Sequence, residues 1–171
     1  MNREILFKGF HPCENGRDRG FINGEWINGK WVEGNHLYDE MTDKHYIIPF
    51  GNINESQKVG QEGCCYCVGF EVIPETVGQY TGVTDKNGKK IFEGDIVKTH
   101  YANTNKTEFV EQVIFEGGSF RAKTKYTDNS SHSALLYNGV PHLAIDKSAY
   151  MDSIEVIGNI HDNPELLEVS E

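Results

Sequence analysis

What the 171-residue chain lacks narrows it first. No segment approaches the roughly 20 consecutive apolar residues of a membrane-spanning helix, and MNREILFKGF at the N-terminus holds no apolar run of the length a secretory signal uses. A cytoplasmic protein is therefore expected. Long helical periodicity is missing as well, so no crossover helix is at hand to build a parallel α/β sheet. Cysteine is scarce: Cys13, Cys64, Cys65 and Cys67 are the four, and in a reducing compartment they are expected to be thiols, not disulfides. Positive charge is scarce too. Against 26 Asp and Glu stand 16 Lys and Arg, a net charge of −10 that opposes attraction to phosphate backbones and anionic lipid.

What is present is apolar content of 37%, aromatic content of 11% of all residues, and many turn signals. A chain of this length and composition can bury a substantial core without metals or disulfides. Residues 21–34, FINGEWINGKWVEG, twice place Ile-Asn-Gly, a charged residue and Trp in order. Asn-Gly permits the positive φ of a type I′ turn, so the segment predicts one or two tight hairpins, with Trp26 and Trp31 packed on one another or on the core. Leu37–Tyr38 and His45–Ile48 flank the polar DEMTDK and predict a strand pair. Residues 52–63 are polar and predict a connecting loop, dividing an N-terminal β-hairpin region (1–51) from a core (64–171). Tyr66–Ile73 reads as a strand ended by Pro74.

The stretch VGQYTGVTDKNGKKIFEGDIV, Val77 to Val97, predicts a hairpin whose turn is Asp85-Lys86-Asn87-Gly88. Glu93-Gly94-Asp95 interrupts its returning arm and predicts a bulge or tight corner. Further on, Phe109–Phe115 and Ser119–Tyr126 predict a second hairpin across Glu116-Gly117-Gly118. Ala134–Tyr137 and His142–Ile145 predict another across Asn138-Gly139, and Ile154–Ile160 a last strand. Asp162-Asn163-Pro164-Glu165 predicts the start of a one- or two-turn helix capped by the Asx residue. Short strands at this spacing indicate an all-β protein with a short C-terminal helix. The expected architecture is a small antiparallel barrel, SH3-like or similar, with an N-terminal β-hairpin extension.

Chemical motifs fail on inspection. Cys64-Cys65-Tyr66-Cys67 contains a C-x-x-C, but a zinc site needs a second well-spaced pair, and His11-Pro12-Cys13 is all that is left to supply it. No metal and no other cofactor is expected. Five residues separate Gly82 from Gly88, and Lys90 stands where a phosphate loop needs Ser or Thr. A calcium loop opening at Asp85 would require Gly and Glu where this chain has Lys90 and Ile96. Glu93 and Asp95 could share acid–base work only if burial separated their titrations. The seven histidines form no H-x-x-x-H and accompany no G-x-S-x-G. No catalytic residue can be named, and the chain is read as a non-enzyme. Arg121, Lys123 and Lys125 alternate and so share one strand face. Beside Tyr80 or Tyr126 that face could take single-stranded nucleic acid, although an ordinary solvated face is the favoured reading.

The Val77–Val97 stretch resembles the YopX family of phage and prophage proteins. Arg3-Glu4-Ile5, Lys30 to Asn35, Val72 to Thr76, and Ile157-Gly158-Asn159-Ile160 ahead of Asn163-Pro164-Glu165-Leu166-Leu167 resemble that family in the same order. The Cys64–Cys67 cluster and residues 101–107 stand outside the pattern. The resemblance implies a β-rich, phage-encoded protein with no established activity and no catalytic residues to carry over. Gly78, Tyr80, Gly82, Asn87, Gly88, Gly94 and Asp95 are read as architectural, the glycines for turns and close backbone approach, the Asp95 carboxylate as a turn cap. The expected function is a non-enzymatic accessory module that binds a protein partner or itself as a homo-oligomer. A nucleic-acid-binding barrel using residues 119–126 is the alternative, and no membrane partner is expected.

Overall fold

Alternation of apolar and polar residues between turn signals lays down strands that are buried on one face. The structure is a computed structural model and describes residues 5–22, 24–49, 69–101, 108–123, 134–137, 140–143 and 151–168. The predicted connection 52–63, the Cys64–Cys67 cluster, Lys125 and Tyr126 lie outside the described residues.

Two antiparallel sheets form. The first comprises β1 (Phe7–Pro12), β2 (Asp18–Ile22), β3 (Glu25–Asp39), β4 (Lys44–Ile48), β5 (Phe70–Val72), β6 (Gly78–Thr84) and β7 (Lys90–Phe92). Its order is β5-β4-β3-β1-β6-β7, with β2 paired to β3. The second comprises β8 (Asp95–Tyr101), β9 (Glu108–Glu116), β10 (Ser119–Lys123), β11 (Ala134–Tyr137), β12 (Val140–Leu143) and β13 (Met151–Asn159), in the order β12-β11-β10-β9-β8-β13. The all-β class is as the sequence predicts. A closed barrel is not: among the described residues no ladder joins β5 to β7 or β12 to β13. The reason is the corner at Glu93-Gly94, which sends β8 into the second sheet instead of alongside β7. The first sheet nevertheless curls. The Ile73 amide donates to the Phe10 carbonyl at 3.0 Å and the Phe10 amide donates to the Thr76 hydroxyl at 2.8 Å, so the chain after β5 returns onto β1.

The largest core cluster lies between the sheets, with Val83 and Ile91 of the first meeting Val97, Val113, Phe120, Ala122 and Ile154 of the second. Each fully buried Val, Ile or Phe contributes about 1.5–3 kcal/mol. Leu6, Tyr80 and Phe92 form a second cluster, and Val32, Ile47 and Val72 fill the curl of the first sheet.

The two Asn-Gly copies have different fates. Ile22 pairs with Glu25 across the first, closing a two-residue hairpin with Gly24 at φ +88°. The second runs through the interior of β3, where Gly29 faces both Pro12 and Asp18. A Cβ at Gly29 would lie 2.5 Å from the Phe10 ring and 2.4 Å from the His11 carbonyl oxygen. Gly29→Ala is therefore expected to destabilise the protein by about 1–3 kcal/mol through overpacking, read as a lower thermal midpoint. An unchanged midpoint would mean that Phe10 can yield. The two tryptophans do not pack together, because residues five apart on one strand point to opposite faces. Trp31 packs on Phe10, with ring centroids 5.5 Å apart, while Trp26 rests on Phe21 and is 48% exposed.

At the C-terminus the predicted helix is a single 3-10 turn, Pro164–Leu167, and Asn163 makes no side-chain cap. Asn159 organises that corner, its side-chain oxygen accepting the amides of His161 and Asp162 at 2.8 and 2.9 Å. Of the predicted strand Tyr66–Ile73, Phe70–Val72 is seen as strand. The arm placed at His142–Ile145 begins earlier, at Val140, because the two-residue link after Tyr137 sets Tyr137 opposite Val140.

Candidate functional site

The corner between the sheets also builds a cleft. Gly94 adopts φ +83°, a region that side-chain-bearing residues rarely enter, and its amide donates to the Val113 carbonyl at 2.9 Å. That reversal sets Asp95 three residues from Phe92, whose amide donates to Asp95 Oδ2 at 2.7 Å. Asp95 Oδ1 accepts from the Lys8 ammonium, reached from β1 across 87 positions of chain. Both side chains are nearly out of solvent, at 12% and 4% exposure. The ammonium also lies 5.0 Å from the centre of the Trp31 ring and 5.2 Å from that of Phe92. Trp31 in turn donates its indole N–H to Asp162 Oδ2 at 2.9 Å, and Asn159 donates to the same carboxylate.

These groups line a cleft of about 600 Å³, with Glu33, Lys89 and Lys90 at its rim. Burial pushes the Asp95 carboxyl up from the usual range, opposed by the Lys8 ammonium and the Phe92 amide. Burial likewise raises Asp162, against the donors Asn159 and Trp31, and lowers the neighbouring His161. Perturbed groups converging in a cleft mark a candidate site. Its acids, however, are all engaged: Asp95 with Lys8 and a backbone amide, Asp162 with Trp31 and Asn159, Glu33 with Lys90 at 3.5 Å. Chemically the arrangement ties β1, β3, β8 and the C-terminal turn together and offers an aromatic wall with a balanced set of charges.

The residues singled out in the sequence fall around this corner and its hairpin. Gly78 sits where a Cβ would meet the Glu93 carbonyl oxygen at 2.3 Å, and Gly82 and Gly88 adopt φ +86° and +81°. Tyr80 is buried against Phe92, ring centroids 5.6 Å apart. Asn87 sits in the turn, its amide donating to Asp85 Oδ1 at 2.8 Å and its side chain to Glu155 at 3.3 Å. Arg121 and Lys123 share the outward face of β10, opposite the buried Phe120 and Ala122. Arg121 Nε donates to the Ser119 hydroxyl at 3.4 Å, and Lys123 pairs with Glu116 at 3.5 Å. Because Tyr80 is buried in the first sheet, its ring does not extend that basic face.

Lys8 carries no local signature, and Asp85 and Asp162 are legible in the sequence only as turn and helix-start residues. Their long-range partners lie dozens of residues away: Asp95 for Lys8, Trp31 for Asp162 and Val156 for Asp85. Among the described residues no cluster of three or more His, Cys, Asp or Glu is set to hold a metal ion, and no helix is long and apolar enough to cross a membrane.

The protein family described as YopX protein matches residues 23–168. No curated protein matches the chain. Among solved structures, the chain is similar to the crystal structure of protein EF1440 from Enterococcus faecalis, at 23% identity over 97% of this chain and 99% of that one, with a TM-score of 0.44.

Proposed function

The chain belongs to the YopX family, and on that premise we propose that it is a phage- or prophage-encoded, cytoplasmic, non-enzymatic accessory module that binds a protein partner or a second copy of itself. The observation that carries this reading is the set of exposed apolar side chains at the two ends of β3. Leu37, Tyr38 and Met41 are 50, 45 and 96% exposed within five residues at the β3–β4 end, and Trp26 stands half exposed on the β2–β3 hairpin. Trp, Tyr and Met are the residue types that protein interfaces favour. The engaged acids of the cleft support the non-enzymatic part, since a general acid or base needs a proton-transfer position open to substrate.

Sedimentation velocity across the micromolar range tests it. The average mass is expected to rise with concentration, and the Leu37→Ser/Met41→Ser double variant is expected to remain monomeric. If the wild type stays a monomer and a photo-crosslinker placed at position 37 or 41 captures no protein in cells, the reading falls. The outward placement of Arg121 and Lys123 favours a second reading, a nucleic-acid-binding surface. It requires binding that weakens with salt and disappears in Arg121→Glu, and it is removed if neither single nor double strands bind at low salt.

A further inference from the structure

Across the β3–β4 hairpin, His36 lies opposite Ile47 and His45 opposite Tyr38, which makes the two histidines diagonal neighbours on one face. His36 Nε2 and His45 Nδ1 are 2.8 Å apart, with ring centroids 4.9 Å apart and planes 27° from parallel. Facing ring nitrogens at hydrogen-bond distance place one N–H against the other ring's lone pair. We propose that His36 and His45 form a proton-operated latch on the β3–β4 hairpin. The neutral pair holds through one N–H···N bond. Adding one proton leaves a cationic ring donating to its neutral partner, so the bond persists. Adding a second places N–H against N–H and charge against charge, and the rings must separate.

The surroundings do not rescue the doubly charged state. From β1 the Phe7 ring packs on His36 at 5.3 Å, and on β3 the Tyr38 ring packs on His45 at 4.9 Å. From β5, Val72 stands opposite His45 and Phe70 opposite Ile47. The nearby charges already have partners: Lys44 with Glu71 at 2.9 Å, Asp43 with the Tyr38 hydroxyl, Asp39 with the Met41 amide and the Thr42 hydroxyl, and Lys8 with Asp95. Burial first, and then the charge of His45, hold His36 below its ordinary value. A histidine depressed in the fold stabilises it above the unfolded value of about 6.5, and that stability is lost as the pH falls through the folded value.

Because Tyr38 rests on His45 and is itself one of the exposed apolar side chains, opening the latch would move it. As regulation of a protein contact this rests on the reading proposed above. As a local opening it does not.

Two measurements on the full chain test the latch. Amide hydrogen exchange, corrected for intrinsic rates, is expected to show protection over residues 36–47 falling by up to about tenfold per pH unit below the histidine range, with β8–β10 unchanged. His36→Gln and His45→Gln are expected to remove that pH dependence. In the wild type, the His36 ring proton resonance is expected to titrate below the ordinary histidine range, and to move back toward it in His45→Gln. Flat protection, an identical decline in both variants, or a His36 titration at the ordinary value that His45→Gln leaves unmoved would overturn the proposal. Sedimentation on both sides of the transition separates the readings. Opening without a change in association leaves the latch standing and counts against the hairpin as the contact surface.

Discussion

Lys8→Met is expected to cost about 3–5 kcal/mol, because it leaves the Asp95 carboxylate buried without its counter-charge. For a chain of this length that corresponds to a fall in thermal midpoint of roughly 6–20 °C. Pairing it with Asp95→Asn should recover most of the loss, since the Asn side-chain oxygen can still accept the Phe92 amide while no charge remains to be compensated. Burial already raises the Asp95 carboxyl, and removing Lys8 raises it further. A carboxyl raised in the fold contributes stability that is fully present below its unfolded value and lost as the pH rises through the folded value. The Lys8→Met deficit should therefore shrink as the pH approaches about 4. A single variant as stable as the wild type, or a double variant no better than the single, would show that the pair is not what joins β1 to β8.

The opposite pH signature is expected at Asp85. Its carboxylate accepts the amides of Asn87 and Lys89 at 2.8 and 2.9 Å through one oxygen and that of Val156 at 3.1 Å through the other. Burial alone would raise Asp85, but those three donors together hold it below its usual value. Its contribution is thus present above the unfolded value and lost as the pH falls through the folded one. Asp85→Ala strands these donors and is expected to cost about 3 kcal/mol near neutral pH, with a flatter acid limb of the stability curve. The same carboxylate, together with the Lys86 amide on the Ile154 carbonyl at 3.0 Å, occupies backbone groups of β13. β13 ends the second sheet, so losing this cover also predicts concentration-dependent aggregation on heating, as unprotected edge strands show. Asp85→Asn keeps an acceptor for the turn but faces Val156 with an N–H donor, and about half the loss is expected.

The two variants bear on how much of the molecule its sequence disclosed. Asp85 was visible as a turn residue, because its bonds to Asn87 and Lys89 span two and four positions, but its bond to Val156 spans 71. Lys8 gave no sign at all. A single lysine in an apolar strand pattern looks like any solvated lysine until the sheet that buries it is assembled. The duplicated Ile-Asn-Gly shows the converse. The same tripeptide makes a turn at Gly24 and runs straight through β3 at Gly29, because in the second copy β1 and the Phe10 ring are already laid against it. Local turn chemistry was outweighed there by strand pairing on both sides.

By itself the sequence determined the all-β class, the hairpins at Gly24, Asp85–Gly88 and Gly117-Gly118, and the corner at Gly94, since each depends on the allowed φ of a few adjacent residues and on period-two alternation. Those interactions are local, so they survive being read without a fold. The tertiary structure alone decided that the corner divides the strands into two sheets instead of closing a barrel. It alone decided that Lys8 meets Asp95, that Trp31 turns inward to Asp162 while Trp26 faces solvent, and that His36 meets His45. Each of these depends on register and on which faces are buried together, and no window of neighbouring residues carries that information.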